Sequence, residues 1–156
     1  MWLAVTDELL VRLRVLNGRD VDLAVDANRI ANRCRDALVG VSPALERALG
    51  DRLNQGGVRD LLMRYPTPTA LRRAGKRRIA QVVARRSPRL ADKVTDAVTA
   101  ALEAQTITLA AEATWGEVIA DLAGDLDRIH RRRQTLATEI EEVFLQHPLA
   151  KVLVSL

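Results

Sequence analysis

Apolar residues recur along the first forty-one positions at Leu9, Leu13, Leu16, Leu23, Ala27, Ile30, Cys34, Ala37 and Val41, with Asp20 filling the one missing beat. The steps alternate four and three without a slip, which places every member on one stripe of a helix and marks a coiled-coil seam. Asp20 is the charged intruder. Gly18 weakens a helix by about 1 kcal/mol relative to alanine, so a kink or break is expected near it. A second run follows the same rule through Trp115, Ile119, Leu122, Leu126, Ile129, Arg133, Leu136, Ile140 and Val143. Arg133 occupies an a position, a device that fixes register or partner at some cost in stability. Each run would form a helix roughly 40–50 Å long, which is long for a compact domain of this size. The pattern predicts an all-α fold in which two long heptad helices pack antiparallel, coiled-coil-like, capped at one end by the middle of the chain.

That middle is punctuated by proline and glycine. Ser42-Pro43 reads as an N-cap with proline at the first helical position, and the helix it opens stops at Gly50. Asn54-Gln55-Gly56-Gly57 reads as a loop, Val58 to Tyr65 as a short helix closed by Pro66, and Thr67-Pro68 as the start of a helix ending at Gly75. Lys76 to about Arg85 follows. Ser87-Pro88 starts another helix reaching about Gln105, and Thr114 is the expected cap of the second long helix. The resulting organisation is a first heptad helix over 1–41, a basic insert of short helices over 42–112, a second heptad helix over 113–146, and the start of a further domain over 147–156.

Composition supports this class. The 156 residues include 23 alanines, 23 leucines and 21 arginines, with only 3% aromatics, a helix-forming inventory poor in the residues that build sheets. One cysteine, Cys34, leaves no internal disulfide framework and fits a reducing compartment. No apolar run approaches the roughly 18 residues of a membrane span. The N-terminus meets Asp7 and Glu8 too early for a signal peptide. A cytoplasmic, nucleoid-associated location without a membrane is the expectation.

Charge changes the picture more. The net charge is only +4, yet no acid occurs between Asp60 and Asp92. That window carries nine cations: Arg64, Arg72, Arg73, Lys76, Arg77, Arg78, Arg85, Arg86 and Arg89. An arginine-rich proteome explains why a cation is arginine rather than lysine, but not why acids vanish over thirty residues. So lopsided a field favours a polyanion, and these nine are the candidate nucleic-acid-binding residues. Leu71 to Ala80, with Gly75 between two basic clusters, resembles a helix-hairpin-helix backbone binder without its second glycine. Tyr65 is the only aromatic in the window, so contacts to phosphate backbones of duplex DNA or folded RNA are expected rather than stacking on bases.

The sequence offers little else. Asp22 and Asp26 share a helix face, but Arg19, Arg29 and Arg33 lie nearby, so a salt-laced outer face is the reading rather than a metal site. His130 and His147 lack a second ligand at helical spacing. Cys34 sits at a seam position and reads as packing. Ser42 and Ser87 read as caps before proline. There is no phosphate loop, dinucleotide fingerprint or nucleophile elbow. No catalytic residue, metal ligand or cofactor site is assigned.

Five stretches, in order, carry a resemblance: Asp7-Glu-Leu-Leu-Val-Arg-Leu-Arg-Val-Leu16, Asn28-Arg-Ile-Ala-Asn-Arg33, Ser42-Pro-Ala-Leu-Glu-Arg-Ala-Leu49, Tyr65-Pro-Thr-Pro-Thr-Ala-Leu-Arg-Arg-Ala-Gly75 and His147-Pro-Leu-Ala-Lys-Val-Leu-Val-Ser-Leu156. Together they resemble the central region of bacterial insertion-sequence transposases of the IS-one-ten family. The resemblance implies a parent with an N-terminal RuvC-like domain bearing four metal-binding acids, a coiled-coil region, and a C-terminal domain with a catalytic serine. It further implies recombination of DNA by oligomers, guided by a structured bridge RNA, with a divalent metal such as magnesium in the RuvC-like domain. By this alignment the chain starts after the fourth acid and stops before the serine, and Ser155 does not match that nucleophile. The expected role is a transposase-derived region that binds DNA or structured RNA and carries no catalytic residue. It would self-associate through Leu9, Leu13, Leu16, Leu23, Ile30, Ile119, Leu122, Leu126, Ile129, Leu136 and Ile140. The alternative is a helical protein–protein adaptor whose basic surface meets an acidic partner rather than nucleic acid.

Overall fold

A computed structural model describes residues 2–147, of which the side chains of Trp2, Leu3, Val5 and Thr6 are not described. The expectations placed on 148–156, Ser155 among them, lie outside the described residues. The fold is all-α, with no strand among the described residues. Six α-helices follow one another: α1 (Trp2–Val41), α2 (Pro43–Leu49), α3 (Gly56–Arg64), α4 (Pro68–Ala84), α5 (Ala91–Ala104) and α6 (Glu112–Gln146). Short 3-10 turns at Gly50–Arg52 and Pro88–Leu90 lead into α3 and α5.

The chain divides into two compact units, one of residues 1–27 and 129–156, the other Asn28–Arg128. In the first unit, Leu23, Leu136 and Val143 are buried, while Leu9, Leu13, Leu16, Ile129 and Ile140 are half-buried. The two charged positions of the heptads meet there: Arg133 Nε donates to Asp20 Oδ1 at 2.9 Å and Arg133 Nη2 to Oδ2 at 3.3 Å. The hydrogen bond from Arg133 holds the Asp20 carboxyl below its ordinary range, and the same bond raises the Arg133 guanidinium. No break occurs at Gly18. The helix runs through it, because one glycine's cost is small beside the propagation of a 40-residue helix. Leu10, Val11, Val15, Val21 and Val25 of α1 stay exposed.

In the second unit α5 packs on α2 and α4, and α3 packs on α4. Its interior is aliphatic, with Leu38, Leu45, Leu49, Val58, Leu61, Leu62, Leu71, Ile79, Val83, Val94, Val98, Ile119 and Leu126 buried. Cys34 belongs to this interior, and burial pushes its thiol up to about 11, as expected of a packing residue rather than a nucleophile. Ser42 caps α2 by accepting from the Leu45 N–H at 3.2 Å, with Pro43 at the first position, and Thr67 caps α4 through the Ala70 N–H at 3.1 Å.

Three local expectations are corrected. The loop at 54–57 is shorter than read, because α3 already begins at Gly56. Thr114 is no cap. The turn before α6 is made by Ala111 at φ 63°, and the helix starts at Glu112. Glu112 reaches back across the unit instead, its carboxylate accepting from the Thr69 N–H and hydroxyl, both at 3.0 Å, in the first turn of α4. Ser87 does not cap the turn that follows it; its Oγ accepts from the Gly57 N–H at 3.0 Å and satisfies a free donor at the start of α3.

Candidate nucleic-acid interface

The basic window occupies the end of α3, all of α4 and the turn into α5. Inward-facing Leu71, Ile79, Val82 and Val83 fix α4 in the core, which leaves its cations on the outer face. Gly75 breaks the helix where the sequence expected an end, with φ 79° and ψ 165°, a left-handed φ that a side chain would resist. Arg72 and Arg73 stand just before this break, and Lys76, Arg77 and Arg78 just after it, all five exposed.

These nine cations are not equivalent. Arg73, Lys76, Arg77, Arg78, Arg85 and Arg89 are exposed, and the structure gives them no carboxylate partner among the described residues. Arg64 is also exposed, its guanidinium carbon 5.9 Å from the centroid of the Tyr65 ring. Arg72 donates to the carbonyls of Leu102 and Gln105 at the end of α5, where a cation suits the helix dipole. Arg86 is spent inside the protein. Its Nη1 donates to Asp127 Oδ1 at 2.7 Å and to Asp60 Oδ1 at 3.0 Å. Burial opposes its charge, but the bonds to Asp127 and Asp60 outweigh this and raise the guanidinium.

Arg86 belongs to a network that the sequence reading missed. Arg59 is 3% exposed at its side chain, and its Nε donates to the same Asp127 Oδ1 at 2.8 Å while Nη1 donates to the Leu53 carbonyl at 3.0 Å. Two arginines and two aspartates thus neutralise one another behind the basic face. Separations of 41 and 68 residues between Asp127 and its partners leave no local sequence signal. Gly57 seats α3 against α4 at the same place. A Cβ there would lie 2.4 Å from the Val83 carbonyl oxygen, so glycine alone permits the approach.

Among the described residues, no three His, Cys, Asp or Glu side chains gather as a metal-binding group. Of the seam residues, Leu23, Ile119, Leu126 and Leu136 are buried in the single chain, and Leu9, Leu13, Leu16, Ile30, Leu122, Ile129 and Ile140 are half-buried. No described helix is long and apolar enough to cross a membrane.

Comparison with known proteins extends these observations. No family model matches the chain, and no solved structure matches it. It is 41% identical over 154 residues to the 43.6 kDa protein of insertion element IS110 from Streptomyces coelicolor, an alignment covering 99% of this chain and 38% of that protein. It is 36% identical over 149 residues to the 44.8 kDa protein of insertion element IS116 from Streptomyces clavuligerus, covering 96% of the chain and 37% of the relative. It is 31% identical over 150 residues to the 42 kDa protein of insertion element IS900 from Mycobacterium paratuberculosis, at the same coverages of 96% and 37%. The chain thus spans well under half the length of the relatives it matches. Over nearly its whole length it is similar to proteins of the insertion elements IS110, IS116 and IS900.

Proposed function

We propose that this chain is the nucleic-acid-binding and self-associating region of an insertion-sequence transposase, acting in DNA transposition by binding and assembly rather than by cutting strands. The similarity to three insertion-element proteins carries the reading. The exposed Arg73, Lys76, Arg77 and Arg78 around Gly75 support it, since a broken helix edge rich in basic residues suits phosphate backbones. DNA and structured RNA are both within its scope. The catalytic groups and the divalent metal of the family's reaction belong, on this reading, to other parts of the parent protein.

Filter binding of the chain to duplex DNA and to a folded RNA across a salt series tests the proposal. If four phosphates are neutralised, the log–log slope on duplex DNA should be about −3.6. Absence of binding at low salt would leave the protein–protein adaptor as the better account. Metal-dependent nicking by this chain alone would contradict the assignment of binding without catalysis.

Self-association through the heptad helices is part of the same proposal. The half-buried seam positions of the first unit, together with exposed Val11, Val15, Val21 and Val25, offer α1 as the element a second copy would cover. Light scattering over a concentration series should report a mass above that of one chain, and Val15→Asp together with Val25→Asp should lower it without loss of helicity.

A further inference from the structure

The basic face contains one recess whose lining is unlike the rest. Arg64 and Tyr65 at the end of α3 and Arg78, Gln81, Val82 and Arg85 on α4 line an open recess of about 270 Å³. The four α4 residues follow the three-and-four spacing of a single helix face, so the kink at Gly75 aims them together, independently of the first half of α4. Pro66 ends α3 directly after Tyr65 and leaves this tyrosine, the only one in the chain, half-buried beside them.

The lining combines four chemistries. Val82, 8% exposed, supplies an apolar floor. Tyr65 supplies an aromatic surface, with the Arg64 guanidinium 5.9 Å from its centroid. Gln81 is exposed and carries an amide that both donates and accepts. Arg64, Arg78 and Arg85 supply positive charge with no carboxylate partner among the described residues. A bare phosphate would use only the guanidinia, and the carbonyl end of α3 offers it no backbone donors. An apolar ligand would leave three charges without a counterpart. A nucleotide uses all four groups: its base lies against the aromatic or guanidinium plane over Val82, its edge meets the Gln81 amide, and its flanking phosphates face the arginines.

We infer that this recess receives a single unpaired nucleotide, a base turned out of a folded or interrupted strand. The inference rests on the nucleic-acid reading above and sharpens it, because it makes one feature of nucleic-acid structure, and not backbone charge alone, the thing recognised.

The test uses the full chain with a fully paired hairpin and the same hairpin carrying one bulged 2-aminopurine, each made as RNA and as DNA. Affinity is read by anisotropy and base stacking by 2-aminopurine fluorescence. Stacking on an aromatic is worth a factor of about 5 to 150 in affinity, so the bulged hairpin should bind tighter by an amount in that range and its fluorescence should change on binding. Tyr65→Leu should erase the preference and Tyr65→Phe should keep it. Gln81→Ala should reduce it, and circular dichroism checks that each variant folds. Equal affinity for paired and bulged hairpins, or a Tyr65→Leu loss that is the same for both, overturns the inference while leaving nucleic-acid binding intact. No binding to any hairpin at low salt overturns the proposed function and this inference with it. Which sugar gives the larger preference identifies the source of the nucleotide.

Discussion

Asp127→Asn is the perturbation that probes the charge network behind the basic face. In the native protein one oxygen, Asp127 Oδ1, accepts from Arg59 Nε at 2.8 Å and from Arg86 Nη1 at 2.7 Å. Asparagine keeps the shape and an acceptor but removes the negative charge. Arg59, 3% exposed, then faces only neutral acceptors, the amide oxygen of the substituted side chain and the Leu53 carbonyl at 3.0 Å, and arginine cannot shed its proton to escape the penalty. Breaking a buried pair by removing one partner costs about 3–5 kcal/mol. Against a typical total of about 5–15 kcal/mol, that is a large share of the stability. With a urea slope of about 1–3 kcal/mol per molar, the unfolding midpoint should fall by about 1 M or more. Asp60→Asn is the internal comparison. Its side chain is 25% exposed and makes one bond, to Arg86 at 3.0 Å, so its loss should cost only about 0.2–1 kcal/mol. Urea unfolding followed at 222 nm measures both variants at neutral pH. If Asp127→Asn moves the midpoint no further than Asp60→Asn, Arg59 is not held as a desolvated charge and the reasoning fails. Replacing Arg59 with Met and Asp127 with Leu together should recover much of the loss, because no buried charge is then orphaned.

Two further outcomes follow from the packing and the charges. Gly57→Ala drives a Cβ to 2.4 Å from the Val83 carbonyl and should destabilise by about 1–3 kcal/mol, whereas Gly18→Ala, with nothing within 4 Å, should stabilise α1 by up to about 1 kcal/mol. Thermal melts of the two variants should therefore shift in opposite directions, and a tolerated Gly57→Ala would refute the close approach of α3 to α4. Asp20 is held below its ordinary 3.8 by the hydrogen bond from Arg133, so its contribution is complete above that value and is lost as pH falls through the lowered folded value. The stability difference between the native chain and Asp20→Asn should be about 0.2–1 kcal/mol at pH 7 and should vanish at strongly acidic pH, since the pair is about one-third exposed. A difference that persists at low pH would mean that the carboxylate charge is not what matters at that position.

The heptad steps, the Ser42 cap and the glycine at 75 were readable because each is a local signal: a helical period repeats every few residues, and a proline or a positive φ acts where it stands. The charged beats Asp20 and Arg133 were visible singly as faults in two apolar runs, but their pairing across 113 residues was not. Ser87 shows the limit most clearly. Beside Pro88 it reads as a cap, yet its hydroxyl serves Gly57, thirty residues earlier, because the approach of α3 to α4 places an unsatisfied N–H within reach. The acid-free window identified the basic face as a block, since charge composition is additive along a chain. Which cations remain available on it was decided by Asp60 and Asp127, which draw Arg86 inward, and by the carbonyls at the end of α5, which engage Arg72. The recess at Tyr65 has the same origin. The sequence alone determined that the chain is helical, heptad-patterned and basic in its middle. Tertiary structure decided which of those charges are neutralised and which converge, because that depends on distances between helices that no local pattern encodes.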